Sequence, residues 1–449
     1  MRRLPLYPAN QSNGDSGQSA DHRDNNYRNN RKVCYVRIHL ALISDSLIPT
    51  GPTLDGFRCA LQVTAIMTNT RKYDVIVVGL GGMGSATLYH LARRGVRVLG
   101  VERFEPLHAH GSSHGDSRII RETYFEHPLY VPLVQRAHEL WRDLETASGK
   151  SLMTIHGGLM IGPPDGSVVT GTLRSAREHG LPHEVLSAEE VTRRYSPFEI
   201  PEDAVAVFDP RAGYLDPEGC TRAHLDLATS AGAETRFSEP VISYATTDGG
   251  VSVTTTHSTY EADKLLVSAG SWTRSMAKDV HLPLAIERQT VFWFEPPSPR
   301  AAYDSRRFPI YAYEFKPGVI CYGFPELARG VKASVMHDGQ IAATPDAVNR
   351  SVSEADLAPL RVALGLVLPN LACSPVRDST TCLFTNTPDH DFVIDFHPAH
   401  SNVLISSPCS GHGFKFASAI GEAQADLLTK GETKFDLTPF RIERFRTAD

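Results

Sequence analysis

The chain has 449 residues, 41% hydrophobic and 21% charged, enough for two domains or one large interleaved one. A net charge of −6 and a pI near 6.3 argue against a nucleic-acid binder, and no run approaches the roughly 18 apolar residues of a membrane span. Seven cysteines, scattered without CxxC pairs, form neither a disulfide framework nor a zinc site, so a reducing compartment (the cytoplasm) and no metal are expected.

Residues 1–67 read as a disordered extension. Positions 10–30 are rich in Asn, Ser, Asp, Gly and Arg, with too little apolar surface to fold, and PTGP at 49–52 breaks anything begun before it. The segment lacks a secretory signal's apolar core, and Met67 stands where a compact enzyme would begin.

The chain organises itself around 73–103. Val75-Ile76-Val77-Val78 reads as a strand buried on both faces of a parallel sheet, and GLGGMG follows at 79–84. Ala86, Leu88 and Leu91 then recur at helical spacing, and a second apolar strand over 96–101 ends on Glu102. Gly79 permits a tight turn, Gly81 and Gly82 let backbone approach a pyrophosphate, and Gly84 lets helix pack on strand. The helix N-terminus offers free N–H groups to phosphates, and Glu102 can accept from a ribose hydroxyl. Strand, glycines, helix, strand and acid together predict a dinucleotide site.

HAHGSSHGDSRIIR at 108–121 is a polar, glycine-containing loop. Arg118 and Arg121 lie three apart, so in a helical turn they would project from neighbouring positions. Apolar spacing over 130–144 predicts a core-facing helix, and Ser187 can cap a helix beginning AEEV. ADKLLVSAGSW at 262–272 predicts a strand returning to the central sheet near the cofactor. From 283 to 376 the pattern favours strands and turns, at 290–294, 309–313, 319–323 and 330–336, which suits a second sheet covering the cofactor. Two further buried strands, 392–395 and 403–407, precede the glycine-bearing segment 411–416 and a helix over 417–428.

Four of these pieces, GLGGMG, HGDSRIIR, TCLFT at 381–385 and SGHGFKF at 410–416, resemble in sequence and order the monomeric sarcosine oxidase and N-methyl-tryptophan oxidase family. The resemblance runs from about Tyr73 to Phe445. It implies an α/β architecture of the D-amino-acid-oxidase type, with a Rossmann-type FAD-binding domain (73–155, 215–282 and 377–445) interleaved with a smaller mixed-sheet substrate domain (156–214 and 283–376). It also implies FAD joined to a cysteine thioether, oxidation of an N-methyl amino acid to an imine, and reduction of O2 to peroxide by a monomer without nucleic-acid or membrane partners.

By this resemblance Cys382 aligns with the flavin-linking cysteine, and Gly411, His412 and Gly413 lie beside the flavin, where a helix N-terminus favours negative charge. Arg121 and Lys415 would clamp the substrate carboxylate, Arg121 through its planar fork. Arg118 would lie by the flavin and tune it. Lys332 aligns with the oxygen-activating lysine, and Tyr322 matches a substrate-pocket tyrosine. The family's histidine follows that lysine by four residues, whereas His337 follows it by five. On a regular strand residues five apart face opposite sides, so either a bulge intervenes or His337 is not that histidine. Phe384 stands where the family often has tyrosine. Cys409 is given a structural role. A nicotinamide-dependent dehydrogenase, and a same-fold flavoenzyme for cyclic or glycated amino acids or for another electron acceptor, are the competing readings.

Overall fold

The structure, a computed structural model, describes residues 72–247 and 249–445. The disordered extension expected over 1–67 lies outside the described residues.

Lys72–Val78 is central to the first sheet, parallel to Val98–Val101 on one side and to Thr259–Val267 on the other. Glu234–Arg236 continues beyond Val98–Val101, and residues 403–405 of His400–Ser407 run parallel to 265–267. Val393–His397 closes that edge as an antiparallel hairpin. Alternation sorts the β-branched residues of the first strand. Val75 and Val77 face one core with Leu88, Leu91 and Ile420, while Ile76 and Val78 face another with Leu99, Leu265 and Ile405. Each such side chain contributes about 1.5–3 kcal/mol on burial. Helices Gly82–Ala92 and Ala417–Lys430 cross closely because Gly421 has no side chain: a Cβ there would stand 2.7 Å from Ala86.

The second sheet has nine strands and is mostly antiparallel. Ala285–Phe294, Gly330–Met336, Val319–Leu327, Ile310–Lys316, Gly158–Gly162 and Val205–Asp209 are successive neighbours. One face packs on helix Glu354–Gly365 through Leu357, Leu360 and Leu364. The expected strands are present, several longer than their apolar runs, and Ser187 caps its helix in a capping box with Glu190. Val376–Asn386 pairs with Ala285–Phe294 along its length, so it belongs to the second sheet beyond the expected boundary at 377. The chain re-enters the first sheet only at Val393.

A third, small sheet joins Arg118–Ile120, Gly213–Leu215 and Met153–Ile155. It corrects the helical turn considered for 118–121. Ile119 and Ile120 are β-branched and pair with Tyr214 and Gly213, so ladder pairing takes the segment instead. No helix among the described residues is long and apolar enough to cross a membrane.

Candidate active site

A cavity of ≈ 420 Å³ runs from the glycine turn to the face of the second sheet. At the turn, Gly79 has φ +90° and donates to Val101 O at 2.8 Å; a Cβ there would stand 2.4 Å from Ser268 O. A Cβ on Gly84 would reach 1.8 Å from Gly79 O, so strand and helix meet backbone to backbone. A Cβ on Gly81 would make no contact under 3.4 Å, which leaves the approach to the helix N-terminus open. Gly82 N–H donates to Ser113 Oγ at 3.0 Å. Glu102 is buried and accepts from the amides of Leu80 (2.8 Å) and Phe104 (3.1 Å), with His108 Nε2 3.4 Å away. Burial works against its charge, but His108 and the two amides outweigh burial and lower its pKa. This cradle, open at Gly81 and closed by a fixed acid, fits the diphosphate and ribose of a dinucleotide. Gly84→Val should therefore lose the bound dinucleotide and cost at least about 1–3 kcal/mol in denaturant unfolding, through overpacking; a dinucleotide-replete protein of unchanged stability would contradict this account of the turn.

Toward the second sheet, the 108–118 segment wraps around Arg118. Its guanidinium donates to the carbonyls of Ser112 (2.7 Å), His114 (2.6 Å) and Ser117 (2.7 Å), and Nη2 lies 3.6 Å from Cys382 Sγ. Cys382 is 5% exposed, sits on Val376–Asn386 opposite Gln289, and borders the cavity. Cys409 also borders it, and burial pushes its thiol up to about 11.

Lys332 is 1% exposed and does not border the cavity. Its Nζ sits one layer behind, donating to Gly115 O (2.6 Å), Ser117 O (2.9 Å) and Ser117 Oγ (3.3 Å). Burial and the nearby Arg118 pull its pKa well down. Three acceptors nevertheless match the three N–H bonds of an ammonium group, and on that geometry we assign it the charged form.

Arg121 and Lys415 both border the cavity and are 3% and 5% exposed. Arg121 donates to Glu126 (2.5 Å) and Thr123 O (3.1 Å), with its guanidinium 4.2 and 4.0 Å from the ring centres of Tyr124 and Phe125. Lys415 Nζ donates to His412 O at 2.6 Å. Burial and then Arg121 lower Lys415 to about 7, and Glu126 opposes them. His412 is held by Tyr124 OH (2.5 Å) and His390 O (3.0 Å), and burial drops it to about 4. Gly411 has φ +79°, and a Cβ on Gly413 would strike Pro408 O at 1.8 Å. Gly411 is thus demanded by its left-handed backbone and Gly413 by backbone packing, and both border the cavity.

Tyr322, opposite Ser334, also lines the cavity, and burial raises its hydroxyl pKa. His337 does not. The register against Val319–Leu327 shifts between Gly323 and Glu326, with the extra residue on that strand; Val331–Ala333 pair evenly with Phe292–Phe294 and Ala333–Met336 with Ile320–Gly323, and His337 leaves the strand with φ +56°. Its ring lies on Glu287 (3.3 Å) and against His390. Even spacing puts Met336 on the Lys332 side, and Met336 is the residue that lines the cavity. Ser113, Gln289 and Met336 went unnoticed in the sequence. Glu126 also did, although an acid five residues after a buried arginine was an available signal.

The family profile of FAD dependent oxidoreductases matches residues 74–427. The chain belongs to this family. Among curated members it is 41% identical over 380 residues to a monomeric sarcosine oxidase of Streptomyces avermitilis, covering 84% of this chain and 98% of that one. It is 35% identical to an N-methyl-L-tryptophan oxidase of Salmonella agona, covering 83% and 99%. Among solved structures, NikD, an unusual amino acid oxidase essential for nikkomycin biosynthesis, superposes with TM-score 0.71 at 25% identity over 83% of this chain and 98% of that one. An L-proline dehydrogenase from P. horikoshii shares the fold at 20% identity, with TM-score 0.72 over 83% and 98%. As a family member the protein is an FAD-dependent oxidoreductase with a Rossmann-type cofactor domain and a substrate domain, which sets aside the nicotinamide reading.

Proposed function

We propose that this flavoenzyme is an oxidase of N-methylated amino acids, of the sarcosine or N-methyl-tryptophan kind, acting as a cytoplasmic monomer. The observation that carries the reading is the convergence of two buried cations, Arg121 and Lys415, on one cavity that also reaches Cys382 and the glycine cradle. Buried positive charge in a cleft favours an anion, and a planar fork beside an ammonium group suits a carboxylate.

Gly79, Gly81, Gly82, Gly84, Ser113 and Glu102 would hold the adenine-dinucleotide half, and Gly411, His412 and Gly413 the other end, with Cys382 Sγ as the covalent anchor. The FAD these residues would hold would supply the two-electron redox chemistry that links oxidation of the amine carbon to reduction of oxygen to peroxide. Arg121 and Lys415 fix the substrate carboxylate and so direct its N-methyl carbon, which is catalysis by positioning. Tyr322 and Met336 wall the substrate end and exclude water. Arg118 sets a fixed positive potential beside Cys382, and Lys332 adds a buried charge from behind the 115–117 backbone that would favour negative charge developing on oxygen.

The purified holoenzyme is expected to release peroxide with sarcosine or N-methyl-L-tryptophan; a yellow protein turning over neither would refute the substrate class. Flavin colour should stay with the acid-precipitated protein and leave it in Cys382→Ala, whereas colour that always moves to the supernatant would exclude the covalent anchor. Binding of acetate, a carboxylate with no titrating amine, tests the clamp. Lys415 titrates at about 7, so below that pH it is charged, and above it the acetate Kd should rise by up to about tenfold per pH unit until Arg121 alone remains. Lys415→Met should abolish that pH dependence.

A further inference from the structure

A second cavity of ≈ 560 Å³ opens between helix Val131–Ser148 and the three-stranded sheet, and it shares no lining residue with the first. It holds two polar side chains that the oxidase reading does not use. Glu122 is 1% exposed, and neither of its carboxylate oxygens has a hydrogen-bond donor among the described residues. His138 is 8% exposed, and its Nε2 is likewise unpartnered. The Glu122 backbone is not free to swing: its N–H and that of Thr123 both donate to Asp209, at 3.0 and 2.9 Å.

The rim is charged. Arg142 is engaged by Glu145 and Met153 O, and Glu139 by Arg136. Arg211 is 55% exposed and lies 3.1 Å from Glu122 Oε2 without hydrogen-bond alignment. No other acceptor takes its guanidinium among the described residues. A buried carboxylate without donors is costly, and a ligand bearing N–H groups removes that cost. Burial lifts Glu122 to about 6, so near neutral pH it carries mostly negative charge. Burial, with Arg211 and Arg142 nearby, holds His138 at about 4, so its imidazole is neutral and able to accept.

An ammonium group satisfies Glu122, and a carboxylate beside it satisfies Arg211. In an α-amino acid these two groups flank one carbon, with N and O on the order of 3 Å apart, which is the Glu122–Arg211 spacing. We propose that this cavity is a second binding site, for a small zwitterionic α-amino acid, with Glu122 and His138 taking the ammonium group and Arg211 the carboxylate. The site stands independently of the oxidase reading.

The test is calorimetric titration of glycine into the full-length, FAD-loaded protein. Lys415→Met, which disables the clamp of the first cavity, should leave a glycine site intact. Arg211→Met, a change at an exposed side chain, and the isosteric Glu122→Gln should each weaken that site roughly tenfold or more. Methylamine and acetate, each carrying half of the zwitterion, should bind it at least about tenfold more weakly than glycine. Glycine binding lost in Lys415→Met and unchanged in Arg211→Met would overturn the proposal, as would no glycine binding in any form of the protein. Failure of the oxidase reading would look different: no peroxide from N-methyl amino acids, with the Arg211-dependent glycine site still present.

Discussion

Lys332→Met is expected to separate the two halves of the catalytic cycle. Anaerobic reduction by an N-methyl amino acid should proceed at close to the wild-type rate, while reoxidation by air should slow by about 10²–10³-fold, the usual effect of removing one preorganised charge from a site of low dielectric. The physical basis is the position of Nζ, buried behind the 115–117 backbone with three oxygens around it. A charge held there reorganises little when oxygen takes up electrons, and the dry surroundings leave it unscreened. The substitution strands the carbonyls of Gly115 and Ser117, so a loss of about 1–3 kcal/mol in stability should accompany it. Stopped-flow measurement of each half-reaction decides the matter. Equal slowing of both would mean that Lys332 merely supports the loop holding Arg118.

Arg121→Met should act on the other half. Truncating one partner of a buried, hydrogen-bonded charge pair costs about 2–5 kcal/mol, so kcat/KM should fall by roughly 30- to several-thousand-fold. The anaerobically reduced enzyme should still react with oxygen normally. A second consequence comes from the neighbours. Arg121 is among the groups that hold Lys415 down near 7, so without it the Lys415 pKa should rise, and the acetate-binding transition should move to higher pH. Glu126 responds in the same direction. Burial works against its ionisation, and Arg121 leads the cations that keep its pKa low. Arg121→Met leaves that carboxylate poorly paired, and Arg121→Met with Glu126→Gln should recover part of the lost stability but none of the lost kcat/KM. A variant that kept wild-type kcat/KM would remove Arg121 from the clamp.

The sequence by itself determined the dinucleotide-binding unit, because each of its requirements is local. The turn at Gly79 needs a positive φ, Gly84 needs a missing Cβ, and the acid ends the strand next to the glycine turn; these constraints fall within thirty or so residues. The resemblance carried by HGDSRIIR, TCLFT and SGHGFKF extended that reading to Arg121, Cys382 and Lys415, and the cavity brings these three together. Strand parity raised the doubt about His337 but left two alternatives, and the structure put Met336 rather than His337 on the cavity.

Only the tertiary structure decided the rest. The small sheet took 118–121 out of a helical turn because its partners, Gly213–Leu215 and Met153–Ile155, come from distant parts of the chain. Val376–Asn386 joined the second sheet because ladder pairing with Ala285–Phe294 is worth more than adjacency in sequence. Lys332 was placed behind the loop rather than on the cavity wall, which no periodicity specifies. Glu122 and Glu126 lie four residues apart and meet different surroundings. Glu126 meets Arg121 at the cofactor cavity, while Glu122 borders the second cavity, with Arg211 3.1 Å away but no hydrogen-bond donor among the described residues. Burial works against the charge of each, and the depth at which a side chain is buried cannot be read from its neighbours in the chain.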